Sequence, residues 1–272
     1  MAIRCGHPRK PLTMPPGLLR LQRAPATWVM HPNRTLDAAG GLATALAGGH
    51  NGVMSQPIAE LRREYMQAEL LEDRVAVDPF EQFRLWFDQA VETNPGEVFE
   101  ANAMTLATIG LDATPAARIV LLKELDDRGL VFFTNYRSAK GQELTRDPRA
   151  AAVFYWPWLE RQVRIEGRCE QVSREESEAY FQTRPRESQL GAIVSQQSEP
   201  LPGRDVLEAK MSQLRTEYDG KTIPTPESWG GYRLLPHRFE FWQGRRSRLH
   251  DRLLYTPDDA RPGHWQITRL GP

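Results

Sequence analysis

Ala103-Met104-Thr105-Leu106-Ala107-Thr108-Ile109, the link Gly110-Leu111-Asp112, and Ala116-Ala117-Arg118-Ile119-Val120-Leu121-Leu122-Lys123 decide how this chain folds. Before Asn102 the apolar residues recur at helical spacing, as in Phe80, Phe83, Phe87 and Ala90. After it the period changes to that of strands, and Gly110-Leu111-Asp112 reads as the turn joining the first two. Strand-like runs continue at Leu130–Thr134, at Ala151–Trp156 and Arg161–Gln171 around a Pro157 turn, and at Tyr232–Trp242, Leu253–Tyr255 and Trp265–Leu270. Helices are expected between them. Asp78-Pro79-Phe80-Glu81 is a helix start, with Asp as N-cap and Pro in the first turn. Ser138–Arg146 is a short helix, Ser173-Arg174-Glu175-Glu176 opens another through Tyr180 and Phe181, and Arg204–Tyr218 is a third amphipathic one. Strands dominate the centre, so the expected fold is mainly β with peripheral helices (α+β), an antiparallel barrel and not an alternating α/β sheet.

Composition narrows the function. The 272 residues allow ample core, and 40% hydrophobic with 26% charged residues is ordinary for a globular protein. Formal net charge is zero, which removes a nucleic-acid footprint, and no apolar run is long enough for a membrane span. Cys5 and Cys169 make neither a metal spacing nor a disulfide framework, and the six histidines are scattered, so no metal is expected and a reducing, cytoplasmic setting fits. There is no Gly-x-Gly-x-x-Gly and no Walker loop, so a nucleotide would be held by other means.

Residues 1–56 form a separate segment. They carry six basic residues against Asp37, a net of +5, which leaves −5 for the rest. The segment is rich in Pro, Gly and Ala without sustained period and reads as disordered. A transit peptide, a regulatory tail, or an upstream start assigned in error ahead of Met54 would each account for it. Order is expected from Pro57, with a short helix at Ile58–Met66.

Several constellations point to anionic, ring-bearing ligands. Phe241-Trp242-Gln243-Gly244-Arg245-Arg246-Ser247-Arg248-Leu249-His250-Asp251-Arg252 places four arginines beside Trp242 and His250. Guanidinium forks grip phosphate and aromatic rings pack on heterocycles, although a basic strand end facing water reads the same way. In Arg118–Lys123, alternation puts Arg118, Val120 and Leu122 on one face and Ile119 and Leu121 on the other, with Lys123 at the strand end on the Ile119 face. Arg118 there is either a ligand contact or the partner of a core carboxylate. Phe133-Thr134-Asn135-Tyr136-Arg137-Ser138-Ala139-Lys140 runs from strand into helix start, which suits an anion or plain capping by Ser138. Gln162 in Arg161–Gly167 would meet the polar edge of a ring or simply face solvent. Tyr180, Arg184 and Ser188 are spaced by four, with Pro185 breaking the helix so that a turn completes the face. Ser195-Gln196-Gln197-Ser198 is a polar tract equally readable as a loop. Two phosphate-type sites without a serine triad, paired carboxylates or a reactive cysteine suggest a cofactor that does the redox chemistry.

These segments, in this order, resemble the pyridoxine (pyridoxamine) 5′-phosphate oxidase family. The resemblance runs from about Ile58 to Pro272, roughly four-fifths of the chain. It rests on Leu61-Arg62-Arg63-Glu64-Tyr65, Ala117-Arg118 through Lys123, Phe132-Phe133-Thr134-Asn135, Arg161-Gln162-Val163-Arg164, Ser188-Gln189 through Ser198, Ser228-Trp229-Gly230-Gly231-Tyr232, Phe241-Trp242-Gln243-Gly244 and Arg248-Leu249-His250-Asp251-Arg252. It implies a split β-barrel over residues 57–272, a dimerisation region at about 229–272, and a homodimer with FMN at the interface. By the resemblance, Arg118, Ile119, Val120, Leu121, Phe133, Thr134, Lys140, Gln162, Gln197, Ser198, Trp242 and Arg252 contact FMN. Lys123, Tyr180, Arg184 and Ser188 hold the substrate phosphate, Arg248 and His250 lie over its ring as catalytic candidates, and Arg62 and Tyr65 close the site. Many relatives carry Arg where this chain has Ala139.

The implied activity is FMN-dependent oxidation of pyridoxine or pyridoxamine 5′-phosphate by dioxygen to pyridoxal 5′-phosphate, a step of vitamin B6 biosynthesis and salvage. A split-barrel flavin reductase, a deazaflavin-dependent oxidoreductase and a non-catalytic flavin or pyridoxal-phosphate carrier are the alternatives. None of them needs the full set of Lys123, Tyr180, Arg184, Ser188, Arg248 and His250.

Overall fold

A computed structural model of the chain describes residues 65, 68–96 and 99–272. The leader at 1–56, most of the helix expected at 58–66, and the role given to Arg62 lie outside the described residues.

The first helix, α1 (Pro79–Glu92), starts where the sequence puts its cap: the Asp78 carboxylate accepts the Phe80 amide at 2.7 Å. Its buried stripe of Phe80, Phe83, Trp86 and Ala90 enters the core, with Phe83 4.9 Å from Phe154 and Trp86 5.3 Å from Phe241, ring to ring. Burying side chains of this size stabilises the fold by about 1.5–3 kcal/mol each.

Among the described residues nine strands form one antiparallel sheet: β1 (Ala103–Ile109), β2 (Pro115–Leu121), β3 (Glu124–Leu125), β4 (Leu130–Asn135), β5 (Arg149–Trp156), β6 (Arg161–Gln171), β7 (Trp229–Gln243), β8 (Asp251–Pro257) and β9 (Trp265–Arg269). The order is β2-β1-β5-β6-β7-β4-β3, with β8 and then β9 added beyond β7. The long β7 organises it. Its first half pairs with β4, Leu130 opposite Leu234 and Asn135 opposite Trp229. Its second half pairs with β8, Phe239 opposite Tyr255 and Gln243 opposite Asp251, while β6 runs along both halves. The bend between the halves falls where register shifts after Glu166, at Gly167 opposite Pro236. A Cβ on Gly167 would lie 2.2 Å from the Leu235 carbonyl oxygen, so only glycine admits the close approach, and the bulge bends the strands. Met104, Leu106, Phe132, Phe154, Trp156, Val163, Ile165, Leu234, Phe239 and Phe241 fill the interior.

The remaining helices sit around the sheet. Ser138 caps α2 (Ala139–Arg146), and the Ser173–Glu176 capping box opens α3 (Arg174–Thr183). Pro185 breaks the helix as expected, and a separate helix, α4 (Arg186–Val194), follows at once, ahead of α5 (Arg204–Glu217). Buried Arg233 of β7 ties the start of α3 to the sheet, 2.8 Å from Asp126 and 3.3 Å from Glu176. Several strands run two or three residues past their expected bounds, as β5, β7 and β8 do, whereas β2 ends at Leu121, so Lys123 lies beyond it, exposed, with its amide bonded to the Val131 carbonyl at 2.8 Å. Among the described residues no helix is long and apolar enough to cross a membrane.

Candidate active site

A first cluster forms where β4 runs into α2. Lys140 Nζ lies 3.2 Å from Thr134 Oγ1, 3.3 Å from Ser138 Oγ and 3.1 Å from Gln197 Oε1. The Ala139 amide donates to Ser198 Oγ at 3.2 Å, which fixes the polar loop after α4 against the α2 N-terminus. Burial, then the nearby Arg118 charge, pulls the Lys140 pKa below the ordinary lysine value. No carboxylate makes an ion pair with Lys140 among the described residues. Arg118 enters from β2 and is held behind the cluster: its Nη2 lies 2.8 Å from the buried Glu143 carboxylate, which also accepts Thr108 Oγ1 at 2.6 Å. The ion-pair reading of Arg118 is therefore realised, on a residue of α2. Val120 packs on the core and Ile119 is 64% exposed, as alternation required. Two cations, hydroxyls and a helix N-terminus make a setting that fits a phosphate.

A second cluster lies beside it, at the end of α3. The rings of Phe133 and Tyr180 stack at 4.0 Å, and Phe133 and Trp229 at 5.3 Å with planes 10° apart. Arg184, the C-cap of α3, lies over the Trp229 ring at 4.8 Å, and its Nη1 is buried without a hydrogen-bond partner among the described residues. Burial raises the Tyr180 pKa, with Arg184 opposing. Ser188 sits in the first turn of α4, its amide on the Pro185 carbonyl at 2.8 Å. Lys123 joins the Val131 position of β4, two residues from Phe133.

The third cluster is a cross-strand row. Gln162 of β6 faces Trp242 of β7, which faces Arg252 of β8. Arg252 pairs with the buried Glu240 at 2.9 Å and donates to the Gly271 carbonyl at 2.9 Å. The Tyr65 ring meets Trp242 at 5.7 Å and His250 at 5.6 Å, and Trp242 and His250 are 4.7 Å apart. A Cβ on Gly244 would come 2.8 Å from the Tyr65 ring, so this glycine is what lets the tyrosine pack there. The Arg245 amide donates to His250 Nδ1 at 3.1 Å. Ser247 and Arg248 have φ of 56° and 61°, left-handed values that cost roughly 1–3 kcal/mol each in non-glycine residues and collect at functional loops. Arg248 is exposed.

The first two clusters and the third belong to opposite ends of β7. Thr134 is opposite Gly230 and Gln162 is opposite Trp242, twelve residues on, or roughly 35–40 Å of strand at about 3.3 Å per residue. Glu143 and Glu240 were not singled out from sequence, because a buried acid's partner depends on which strands meet, and Gly244, quoted in Phe241-Trp242-Gln243-Gly244, was given no role. Trp229 had a signal, its place in Ser228-Trp229-Gly230-Gly231-Tyr232, without an assigned role.

A split antiparallel barrel with phosphate-type clusters and an arginine–aromatic row defines the class of FMN-binding split-barrel proteins. Residues 88–218 match the family model described as pyridoxamine 5′-phosphate oxidase, and residues 229–272 match that of the pyridoxine 5′-phosphate oxidase C-terminal dimerisation region. A pyridoxine/pyridoxamine 5′-phosphate oxidase from Thermosynechococcus vestitus is 59% identical over 216 residues, covering 79% of this chain and 99% of that one. One from Cupriavidus necator is 54% identical over 215 residues, covering 79% and 99%. Among solved structures, PhzG from Burkholderia lata 383, in complex with tetrahydrophenazine-1-carboxylic acid, superposes with a TM-score of 0.69 at 30% identity, covering 76% of this chain and 99% of that one. An FMN-binding protein from Nostoc punctiforme shares the fold at a TM-score of 0.57 and 20% identity, covering 73% and 100%. The chain belongs to the pyridoxine/pyridoxamine 5′-phosphate oxidase family.

Proposed function

We propose that this protein oxidises pyridoxine 5′-phosphate or pyridoxamine 5′-phosphate to pyridoxal 5′-phosphate with FMN as cofactor. The alcohol and dioxygen give aldehyde and hydrogen peroxide; the amine, dioxygen and water give aldehyde, ammonia and hydrogen peroxide. The observation that carries the reading is Arg184 Nη1, a buried cationic donor with no hydrogen-bond partner among the described residues, beside the stacked Tyr180 and next to a second, separate phosphate-type cluster. Two anion sites fit a phosphorylated cofactor and a phosphorylated substrate. PhzG's ligand is named as a carboxylic acid, and identity to the phosphate-named relatives is about twice as high.

FMN would be held at its phosphate by Arg118, Lys140, Thr134 and Ser198, and by Gln162, Trp242 and Arg252 elsewhere. When bound it supplies acceptance of hydride from C4′ and reoxidation by dioxygen. The chain's own work is placement. Lys123, Tyr180, Arg184 and Ser188 fix the substrate phosphate, and Arg248 and His250 orient the ring and its C4′ substituent. Such anchoring turns an encounter into an aligned, effectively unimolecular step.

The two ends of β7 are joined by a second copy in this reading, so that one subunit's Arg252 row completes the other's phosphate clusters. The sheet's outer face supports it: Ile119, Thr105 and Val153 form a row across β2, β1 and β5, with Ile119 64% and Tyr155 51% exposed. Purified protein assayed for aldehyde from pyridoxine 5′-phosphate tests the function, and a yellow dimer with one FMN per subunit is the expected form. A colourless monomer without oxidase activity would overturn it. Arg248→Ala should cut turnover and substrate binding while FMN stays bound.

A further inference from the structure

We propose that Trp229 is a positioning residue for substrate phosphate: its indole face, in place of a carboxylate, holds the Arg184 guanidinium. The inference rests on the assignment of Arg184 to that phosphate.

Three other arginines around the site are held by acids, and Arg161, which also lies over an indole, Trp86 at 4.4 Å, has its donors taken by Gln243 and Gln89. Arg118 pairs with Glu143 at 2.8 Å, Arg252 with Glu240 at 2.9 Å and Arg233 with Asp126 at 2.8 Å. Arg184 has no such acid among the described residues. Its guanidinium lies 4.8 Å from the Trp229 ring centroid, within the roughly 6 Å reach of a cation–π contact. The difference has a chemical consequence. A carboxylate holds an arginine edge-on, occupies its in-plane N–H donors and offsets its charge. A ring holds it face-on, so the donors around its edge and the whole charge remain for a ligand. The partnerless Nη1 of Arg184 is what such a hold leaves behind.

Trp229 is itself firmly set. It is 6% exposed at the start of β7, opposite Asn135. Phe133 lies 5.3 Å away with planes 10° apart, and Phe181 meets it edge-on at 5.0 Å. Its carbonyl accepts from Arg174 at the start of α3 at 3.2 Å, so the strand that carries the ring also anchors the helix that carries Arg184. A flexible stem on a helix C-cap is thereby given one plane to lie in.

The test is steady-state kinetics on the full-chain, FMN-loaded protein. Trp229→Leu removes the face, and Trp229→Phe keeps one. For Trp229→Leu, KM for pyridoxine 5′-phosphate should rise about tenfold while kcat stays within about twofold, a contact of ordinary cation–π strength. The inhibition constant of inorganic phosphate should rise in parallel, FMN affinity should not change, and Trp229→Phe should recover most of the loss. A fall in kcat at unchanged KM, release of FMN, or equal KM for the Leu and Phe variants overturns the proposal. Arg184→Lys keeps the charge but cannot lie flat on a ring, and it serves if Trp229→Leu does not fold. Its KM should rise by a similar factor, and a wild-type KM there would overturn the proposal as well. An inactive wild type sinks the functional reading and this inference with it, whereas an active wild type with an unaffected Trp229→Leu variant sinks this inference alone.

Discussion

The backbone amide of Arg245 donates a hydrogen bond to Nδ1 of His250 at 3.1 Å. The Nδ1 lone pair is thus used, and the neutral ring carries its proton on Nε2. Burial first, then the charge of Arg248, holds the His250 pKa below its ordinary 6.5, with Asp251 opposing. An imidazolium would set one N–H against another.

His250 should therefore act as a hydrogen-bond donor through Nε2 and not as a base. His250→Gln, whose amide nitrogen reaches about the same place, should lose less than tenfold in kcat/KM, whereas loss of a general base costs about 10²–10⁴-fold. A drop of that larger size in the Gln variant would restore the base. The sign for stability follows from the lowered pKa. Above about pH 6.5 the ring is neutral folded and unfolded, and as pH falls below that the unfolded chain takes the proton more readily, so His250 destabilises the fold in acid. Denaturant unfolding of wild type and His250→Gln across pH 5–8 should show the smaller acid loss in the variant.

Arg118 and Glu143 should be separable into a structural pair and a ligand contact. Arg118→Ala strands a buried carboxylate and should cost about 3 kcal/mol in urea unfolding of the apoprotein. The double variant Arg118→Met, Glu143→Leu should recover much of that stability and still bind FMN weakly. Recovery of FMN affinity along with stability would remove Arg118 from the cofactor site.

Ala139 should leave room for one more cation. Its amide faces Ser198, while Arg137 is exposed and lines a groove with Leu111, Gln142 and Arg146, away from Lys140. Ala139→Arg should tighten FMN about tenfold, since a hydrogen bond to a charged group contributes roughly 1.5–3 kcal/mol. Arg137→Ala should change FMN titrations little. An unchanged Ala139→Arg variant would mean that Arg118 and Lys140 suffice.

Residues 1–53 should be dispensable, because their composition offers no core. A chain beginning at Met54 should keep activity and assembly. Deletion through Tyr65 should raise KM instead, since it removes the ring that packs on Gly244 and meets His250 at 5.6 Å. Equal kinetics for the two truncations would detach Tyr65 from the substrate site.

What the sequence determined by itself is local. Ala103–Ile109 and Arg161–Gln171 are strands with the bounds that their patterns predicted, and Asp78, Ser138 and Ser173 cap helices where they stand. Periodicity and capping act over a few residues, so they can be read along the chain. The family motifs likewise contain Arg118 and Arg252, and the resemblance adds Lys140 and Arg184, without any coordinates. Tertiary structure decided the partners. That Arg118 meets Glu143, Arg252 meets Glu240 and Arg184 meets an indole depends on α2, β7 and β8 converging from distant sequence. The bend at Gly167 and Pro236 carries β7 from β4 to β8. It also parts the phosphate clusters from the Arg252 row, because contacts between strands obey register and curvature, which no short window of sequence contains.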